Sequence, residues 1–243
     1  LSALKVIYSG GSTVPAAVVT GLEETVGVQF AIVFGQTECS PVCLMTWTTD
    51  TTRDKAETLG TAMPHTEVKI ISPDSGEIVP VGQIGEICTR GYHVMKGYFE
   101  NEAATRAAID GDGWLHTGDL GAMDARGYCT IEGRIKDMII RGGENIYPRE
   151  LEELLFRHPS VGDVAVVGLP DAKWGEVVAA FVRPAAGKTV NREELFDYMR
   201  EHLAPHKTPR HWFAVEAMPL TGSSKIQKFK LREQWQKGEF SEL

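Results

Sequence analysis

Metal-binding cysteine spacing is missing from this 243-residue chain. Its four cysteines, Cys39, Cys43, Cys88 and Cys129, form no CxxC and stand apart in sequence from any histidine pair. That argues against a zinc site and for reduced structural thiols, hence a reducing, cytoplasmic compartment. His202 and His206 have i, i+4 spacing, but Pro205 lies between them and no third ligand follows. No apolar run approaches the length of a transmembrane helix, and no basic n-region or cleavage site is present. Basic charge is not in excess. Lys and Arg number 25 against 33 Asp and Glu, a net charge of −8 that favours solubility and excludes general nucleic-acid binding. The basic tail Lys225–Lys237 does not change that balance. Internal repeats and low-complexity tracts are absent. So is an initiator Met: position 1 is Leu, and residues 4–8 already read as a buried strand. The expectation is a fragment whose upstream part carries any targeting signal.

What is present is an ordinary globular composition, 42% hydrophobic and 24% charged, enough for one large or two small domains. Glycine is raised, at 25 residues, where average usage of about 7% gives roughly 17. The excess falls in loops such as Ser9-Gly10-Gly11-Ser12 and Arg141-Gly142-Gly143-Glu144, where backbone can approach a ligand closely, although hairpin turns absorb part of it.

The first half reads as a strand over 4–8, a helix over 15–25 with Pro15 in its first turn, and an apolar strand over 29–34. That order suggests an α/β layer. From Glu67 the texture changes to short strands over 67–71, 85–89 and 128–132, split by turns, which reads as a small β-barrel-like subdomain. After Gly133 the pattern becomes α+β. It has strands over 137–141, 161–168, 176–182 and 212–216. Helices are expected over 148–158, from Asn191 to about His202 with Glu194 at the capping-box position, and over 228–237. The fold class expected is therefore α/β plus α+β. The domains are 1–132 as part of a large domain, 133–137 as a hinge, and 138–243 as a small mobile domain.

Four constellations carry chemistry. Phe34-Gly35-Gln36-Thr37-Glu38 follows a strand. An aromatic there can cover a flat base, a Thr hydroxyl can donate to phosphate, and a Glu can help hold Mg²⁺; a plain strand-end turn reads equally well. In Trp114-Leu115-His116-Thr117-Gly118-Asp119, a carboxylate past a glycine turn suits a ribose diol; an Asx-turn between strands is the plainer reading, and His116 reads as packing. In the run from Gly133 to Glu152, Arg134 offers a fork of donors and Gly142-Gly143 a bare backbone; the plainer reading is a hairpin leading into a helix. In Pro219–Lys228, Lys225 sits on a small-residue loop that can reach a neighbouring site, whereas Lys228 and Lys230 read as solvated.

These motifs, in this order, resemble the adenylate-forming superfamily: acyl-CoA synthetases, adenylation domains of peptide synthetases, and luciferases. The likeness runs from about Leu4 to Arg232. Lys136–Pro148 and Lys225–Glu233 are most similar to fatty acyl-CoA synthetases of the medium-chain type. The resemblance implies that Gly10 and Gly11 lie beside the adenine and the acyl group. It also implies that Phe34 and Gly35 border the adenine, with Phe34 standing where Tyr is commoner. Thr37 would touch phosphate, Glu38 would hold Mg²⁺, Asp119 would hold the ribose, and Arg134 the ribose or phosphate. Lys136 would be the hinge and Lys225 the adenylation lysine. Arg141, Gly142, Gly143 and Glu144 would line the path of coenzyme A. The Ser/Thr/Gly-rich phosphate loop of that family is not in this chain, and Ser224 stands where the family usually has Gly.

The expected activity is thus an AMP-forming ligase using ATP, Mg²⁺ and coenzyme A on a carboxylic acid, with a fatty acid the expected class and the chain alone inactive. Two alternatives stay open: loading of a phosphopantetheinyl carrier protein, and a non-catalytic interaction remnant. A homodimer is among the assemblies open to it. Only Gly10–Thr13 and Phe34–Val42 are expected to touch the acyl pocket, so chain-length preference rests on resemblance.

Overall fold

The computed structural model describes residues 3–11, 14, 16–222 and 225–243. The readings placed on Ser12, Thr13, Pro15 and Ser224 lie outside the described residues. The chain divides into two compact units, Leu1–Ile135 and Lys136–Leu243.

The first unit opens with β1 (Val6–Gly10), α1 (Ala16–Val26) and β2 (Gln29–Phe34). β1 and β2 run parallel, with Val6 opposite Gln29 and Gly10 opposite Val33. A parallel pair needs a crossover, and α1 supplies it. Val19 of α1 packs with Phe30 and Ile32 of β2, all buried. β3 (Leu44–Met45) and β4 (Thr61–Ala62) extend this sheet antiparallel, in the order β1-β2-β3-β4, with α2 (Thr52–Glu57) between them in sequence. Thr51 caps α2 by accepting from the Asp54 N–H.

A second sheet in this unit is an antiparallel meander of β5 (Thr66–Ile71), β6 (Gly85–Gly91), β7 (Leu115–Gly121) and β8 (Gly133–Arg134), with α3 (Glu102–Ala108) between β6 and β7. Its strands form an open path, so the barrel-like reading is corrected to a four-stranded open sheet. The strand expected over 128–132 is likewise not regular. Cys129 makes single bridges with Gly60 and with Met123. The Cys129 N–H turns to Gly60 O, whereas Thr130 and Glu132 donate to Ala122 and Leu120. Backbone groups divided between two neighbours build no continuous ladder. Ile70, Ile87 and Leu115 pack with Cys39, Cys43, Leu44 and Cys129. All four cysteines are free and buried, acting as small apolar side chains.

The second unit comprises β9 (Ile139–Arg141), β10 (Glu144–Ile146), α4 (Pro148–Phe156), β11 (Val161–Asp171), β12 (Gly175–Pro184), α5 (Arg192–His202), β13 (His211–Ala214) and α6 (Lys228–Gln236). The strand expected from Asp137 begins instead at Ile139, because Ile135–Asp137 is a 3₁₀ turn. The five strands make one sheet, with β12 paired to β11, β9 and β13. β11 and β12 read as unbroken apolar runs because both their faces are covered. Val164, Val166, Val178 and Ala180 face α4 and α5 with Leu151, Leu155, Leu195 and Trp212. Their alternates Ala165, Val167, Val177, Ala179 and Phe181 pack with Phe213, Met218 and Leu231 of α6. Each large side chain buried this way stabilises the unit by about 1.5–3 kcal/mol. Asn191 caps α5 through the Glu194 N–H. No described helix is long and apolar enough to cross a membrane.

Candidate functional site

The parallel pair β1–β2 delivers two of the singled-out loops to one edge. Gly10 lies opposite Val33 at the carboxyl ends of both strands, the edge at which open α/β sheets bind ligands. Gly10 is required there by packing: a Cβ would lie 2.3 Å from Val33 O. Gly11 follows with φ +80° and open space around it. On β2, Phe34 is half-buried against the core that holds Cys39 and Cys43. Gly35 admits no side chain, since a Cβ would meet Pro41 O at 2.0 Å. The chain then turns through the 3₁₀ segment Thr37–Cys39, leaving Thr37 exposed and Glu38 half-exposed.

Glu38 is held from a distance. The Tyr98 hydroxyl donates to its Oε1 at 2.8 Å, and the Met95 N–H donates to its backbone carbonyl. The Glu38 carboxylate and partial burial raise the Tyr98 hydroxyl above the usual tyrosine range. Tyr98 had no part in the sequence reading, and 60 residues separate it from Glu38. With one carboxylate oxygen occupied by a neutral donor, Glu38 fits the ordinary Mg²⁺ arrangement of one carboxylate plus substrate phosphates.

Asp119 lies inside β7 rather than on a glycine turn outside it. It is 6% exposed and sits opposite Arg134 in the β7–β8 register, where Arg134 Nε donates to Asp119 Oδ1 at 3.0 Å. The carboxylate and guanidinium expected to meet one ribose are therefore already paired, with Arg134 about half exposed. Beneath them lies a group that sequence reasoning missed. Glu86 of β6, 7% exposed, accepts from Gly118 N at 3.0 Å and meets His116 Nδ1 at 2.8 Å. His116 Nε2 also lies 3.6 Å from Asp110 Oδ2. A charged residue inside the apolar strand 85–89 was the available signal.

Cys88 joins this group, its Sγ 3.7 Å from His116 Nδ1. Glu86, Cys88 and His116 bring ligand-type atoms within 4.8 Å of one another. Both Glu86 oxygens are engaged, however, and the Cys88 thiol is pushed up to about 12, by burial first and the Glu86 charge second. With these contacts made, the cluster forms a hydrogen-bonded frame.

In the second unit, Arg141 donates through Nη1 to His206 O at 2.7 Å and lies over the Trp174 ring. Gly142 has φ +61°, and a Cβ on it would meet Trp174 Cε3 at 2.8 Å; Gly143 has φ +90° with nothing near. Glu144 begins β10 and is exposed. This turn is partly structural, with Gly143 and Glu144 its open portion. Lys136 is exposed in the 3₁₀ turn Ile135–Asp137. Lys225 is exposed on a hairpin closed by Thr221 N–H to Lys225 O at 2.8 Å and by a Leu220–Ile226 bridge.

Residues 1–99 match the family model of the AMP-binding enzyme, and residues 150–225 that of the AMP-binding enzyme C-terminal domain. The chain is 52% identical over 234 residues to YngI of Bacillus subtilis (strain 168), which bears an acyl-CoA synthetase name; the match covers 96% of this chain and 43% of that protein. It is 43% identical over 225 residues to the mitochondrial medium-chain acyl-CoA ligase ACSF2 of Rattus norvegicus, covering 92% of this chain and 37% of the relative. Among solved structures, ATP-bound MatB from Rhodopseudomonas palustris superimposes with a TM-score of 0.87 at 31% identity, over 95% of this chain and 45% of that one. The o-succinylbenzoate CoA synthetase MenE from Bacillus subtilis, in complex with its acyl-adenylate, gives 0.85 at 34% identity, over 98% and 47%. The chain thus spans less than half the length of the relatives it matches. With both family models matched in order and the motif loops at the ligand edge of the sheet, the chain belongs to the adenylate-forming superfamily of AMP-binding enzymes.

Proposed function

We propose that this chain serves an ATP-dependent ligase that activates a carboxylic acid as acyl-AMP and passes the acyl group to coenzyme A. The observation that carries the reading is the buried Asp119 paired with Arg134 at 3.0 Å, a ready acceptor and donor set for a nucleoside diol. In this reading residues 1–132 belong to the adenylation domain, 133–137 form the hinge, and 138–243 form the mobile domain. Gly10, Gly11, Phe34 and Gly35 border the adenine and acyl group, and Thr37 donates to phosphate. Mg²⁺ bound at Glu38 would neutralise phosphate charge.

A carboxylate oxygen attacks the α-phosphorus of ATP; the bond to the bridging oxygen breaks and pyrophosphate leaves with its electron pair. Two anions must approach, so Lys225 supplies the positive charge that steadies both reacting oxygens. In the second half-reaction the Arg141–Glu144 turn guides the pantetheine arm. The thiol sulfur attacks the acyl carbon, the carbon–oxygen bond to AMP breaks, and the thiol proton passes to solvent. The likeness to ACSF2 favours medium-chain fatty acids, and the thiol-free alternative of a structural remnant predicts no turnover. A cytoplasmic location goes with this reading; cell fractionation checks it, since the ACSF2 relatives are named as mitochondrial.

In the intact enzyme, Lys225→Ala is expected to abolish acyl-AMP formation, read by pyrophosphate release. Thioester formation from supplied acyl-AMP should persist near the wild-type rate. Equal loss of both half-reactions would sink the role given to Lys225. Running the second half-reaction with free coenzyme A and with a holo carrier protein identifies the acceptor, and a panel of acids of graded length identifies the substrate.

A further inference from the structure

Glu86 has no role in the reaction above, yet it is a carboxylate buried inside a strand, where an ionised group persists only with partners. Its partners all lie on the segment that carries Asp119. Between the register pairs Glu86–Leu120 and Cys88–His116, β6 contributes one residue, Ile87, and β7 contributes three, Thr117, Gly118 and Asp119. The surplus makes a bulge, a device that bends a strand and redirects a side chain. Gly118 takes φ +70° within it, the left-handed region that favours glycine.

The bulge is tied down on both sides. Glu86 Oε1 accepts from Gly118 N–H, and Glu86 Oε2 meets His116 Nδ1. The Thr117 hydroxyl donates to Ile87 O at 2.6 Å and accepts from Asp119 N–H at 3.1 Å. Without an acceptor at Glu86, the Gly118 N–H would be left without its partner. The bulge would then relax toward other conformations, and Asp119 would lose its fixed relation to Arg134.

We propose that Glu86 is a positioning residue for nucleotide recognition: with Thr117 it fixes the bulge that presents Asp119 to the ribose hydroxyls. The proposal rests on the reading of Asp119 as the ribose ligand, and its test separates the two. The intact enzyme is assayed for kcat/KM of pyrophosphate release with ATP, 2′-deoxy-ATP and 3′-deoxy-ATP. The wild type should prefer ATP, and Asp119→Ala should erase that preference. Glu86→Met keeps length but accepts no hydrogen bond, and should reduce the preference by about tenfold, the worth of one hydrogen bond to a charged group. Glu86→Gln keeps an acceptor for the Gly118 N–H and should restore most of it. Thr117→Val should weaken the preference in the same direction.

An unchanged preference in Glu86→Met beside an intact Asp119→Ala effect overturns the positioning role. So does a Glu86→Met enzyme slowed equally on all three nucleotides, because that is general damage. Where Glu86→Met fails to fold by circular dichroism, Thr117→Val decides, and a preserved preference there overturns the proposal. If the wild type does not discriminate, or Asp119→Ala changes nothing, the ribose reading itself falls.

Discussion

Lys55 is 4% exposed, and its ammonium reaches Glu23 Oε1 and Thr48 O, each at 2.8 Å. Glu23 is further committed: it accepts from Phe30 N–H at 3.1 Å and from the Thr52 hydroxyl at 3.3 Å. One ion pair thus ties α1 to α2 and to the first residues of β2. Burial raises the Glu23 carboxyl, but Lys55 and the Phe30 N–H more than offset it, so it titrates below the usual glutamate range. A depressed folded value means stabilisation that is full above the unfolded glutamate pKa of about 4.3 and lost as pH falls through the lower folded value. Lys55→Met should therefore cost about 1–3 kcal/mol near neutral pH, by stranding a partly buried carboxylate. Urea unfolding of wild type and variant should show that gap narrowing below about pH 4. A gap that does not change with pH would show that the ion pair contributes nothing.

At the scale of elements, the turn between β9 and β10 separates two uses of glycine. Gly142 and Gly143 both have positive φ, but only Gly142 faces an obstacle, the Trp174 ring 2.8 Å from where a Cβ would sit. Gly143→Ala should cost only the backbone strain, about 1–2 kcal/mol. Gly142→Ala should cost that plus displacement of Trp174, about 2–4 kcal/mol in all. Denaturant midpoints of the two variants rank them; equal losses would mean Trp174 yields freely. The sequence showed the glycine pair but not this difference, because Trp174 lies in the turn between β11 and β12, about thirty residues on. The same limit recurs throughout. β2 was legible to the residue, since Gln29–Phe34 is a short, nearly unbroken apolar run with its centre buried. β11 and β12 were legible in kind but short at their ends. β7 was not: its bulge breaks the alternation at Thr117–Asp119, so polar residues that belong to a strand looked like a turn. The order of the motif segments was legible along the chain, whereas Tyr98 gave no signal and Glu86 only that of a charge inside an apolar strand. They act on residues 60 and 32 positions away: the β6–β7 pairing brings Glu86 to Gly118, and the segment after β6 meets the turn after β2 to bring Tyr98 to Glu38.

At the scale of the whole molecule, the boundary between the compact units falls between Ile135 and Lys136, inside the 3₁₀ turn Ile135–Asp137. In the proposed function the site residues divide along the same line. Glu38, Asp119 and Arg134 precede the boundary, and Arg141–Glu144 and Lys225 follow it. A reaction in two steps that uses Lys225 first and the Gly142-Gly143 turn second needs the connecting backbone to change conformation between them. Proline at 136 would fix φ near −65° and push Ile135 out of helical conformation, removing that freedom without touching either set of reacting groups. Lys136→Pro should therefore leave pyrophosphate release in the intact enzyme close to wild type. It should slow thioester formation from supplied acyl-AMP by at least about tenfold, a barrier increase of about 1.4 kcal/mol. Lys136→Ala, which removes the side chain but keeps the backbone free, should preserve both half-reactions and so separates loss of the ammonium from loss of rotation. Thioester formation untouched in Lys136→Pro would mean that the pivot lies elsewhere in 133–137 or that the acyl transfer needs no rearrangement. Loss of both half-reactions in Lys136→Pro, with Lys136→Ala intact, would place the turn in the folding of the chain and not in its catalytic cycle.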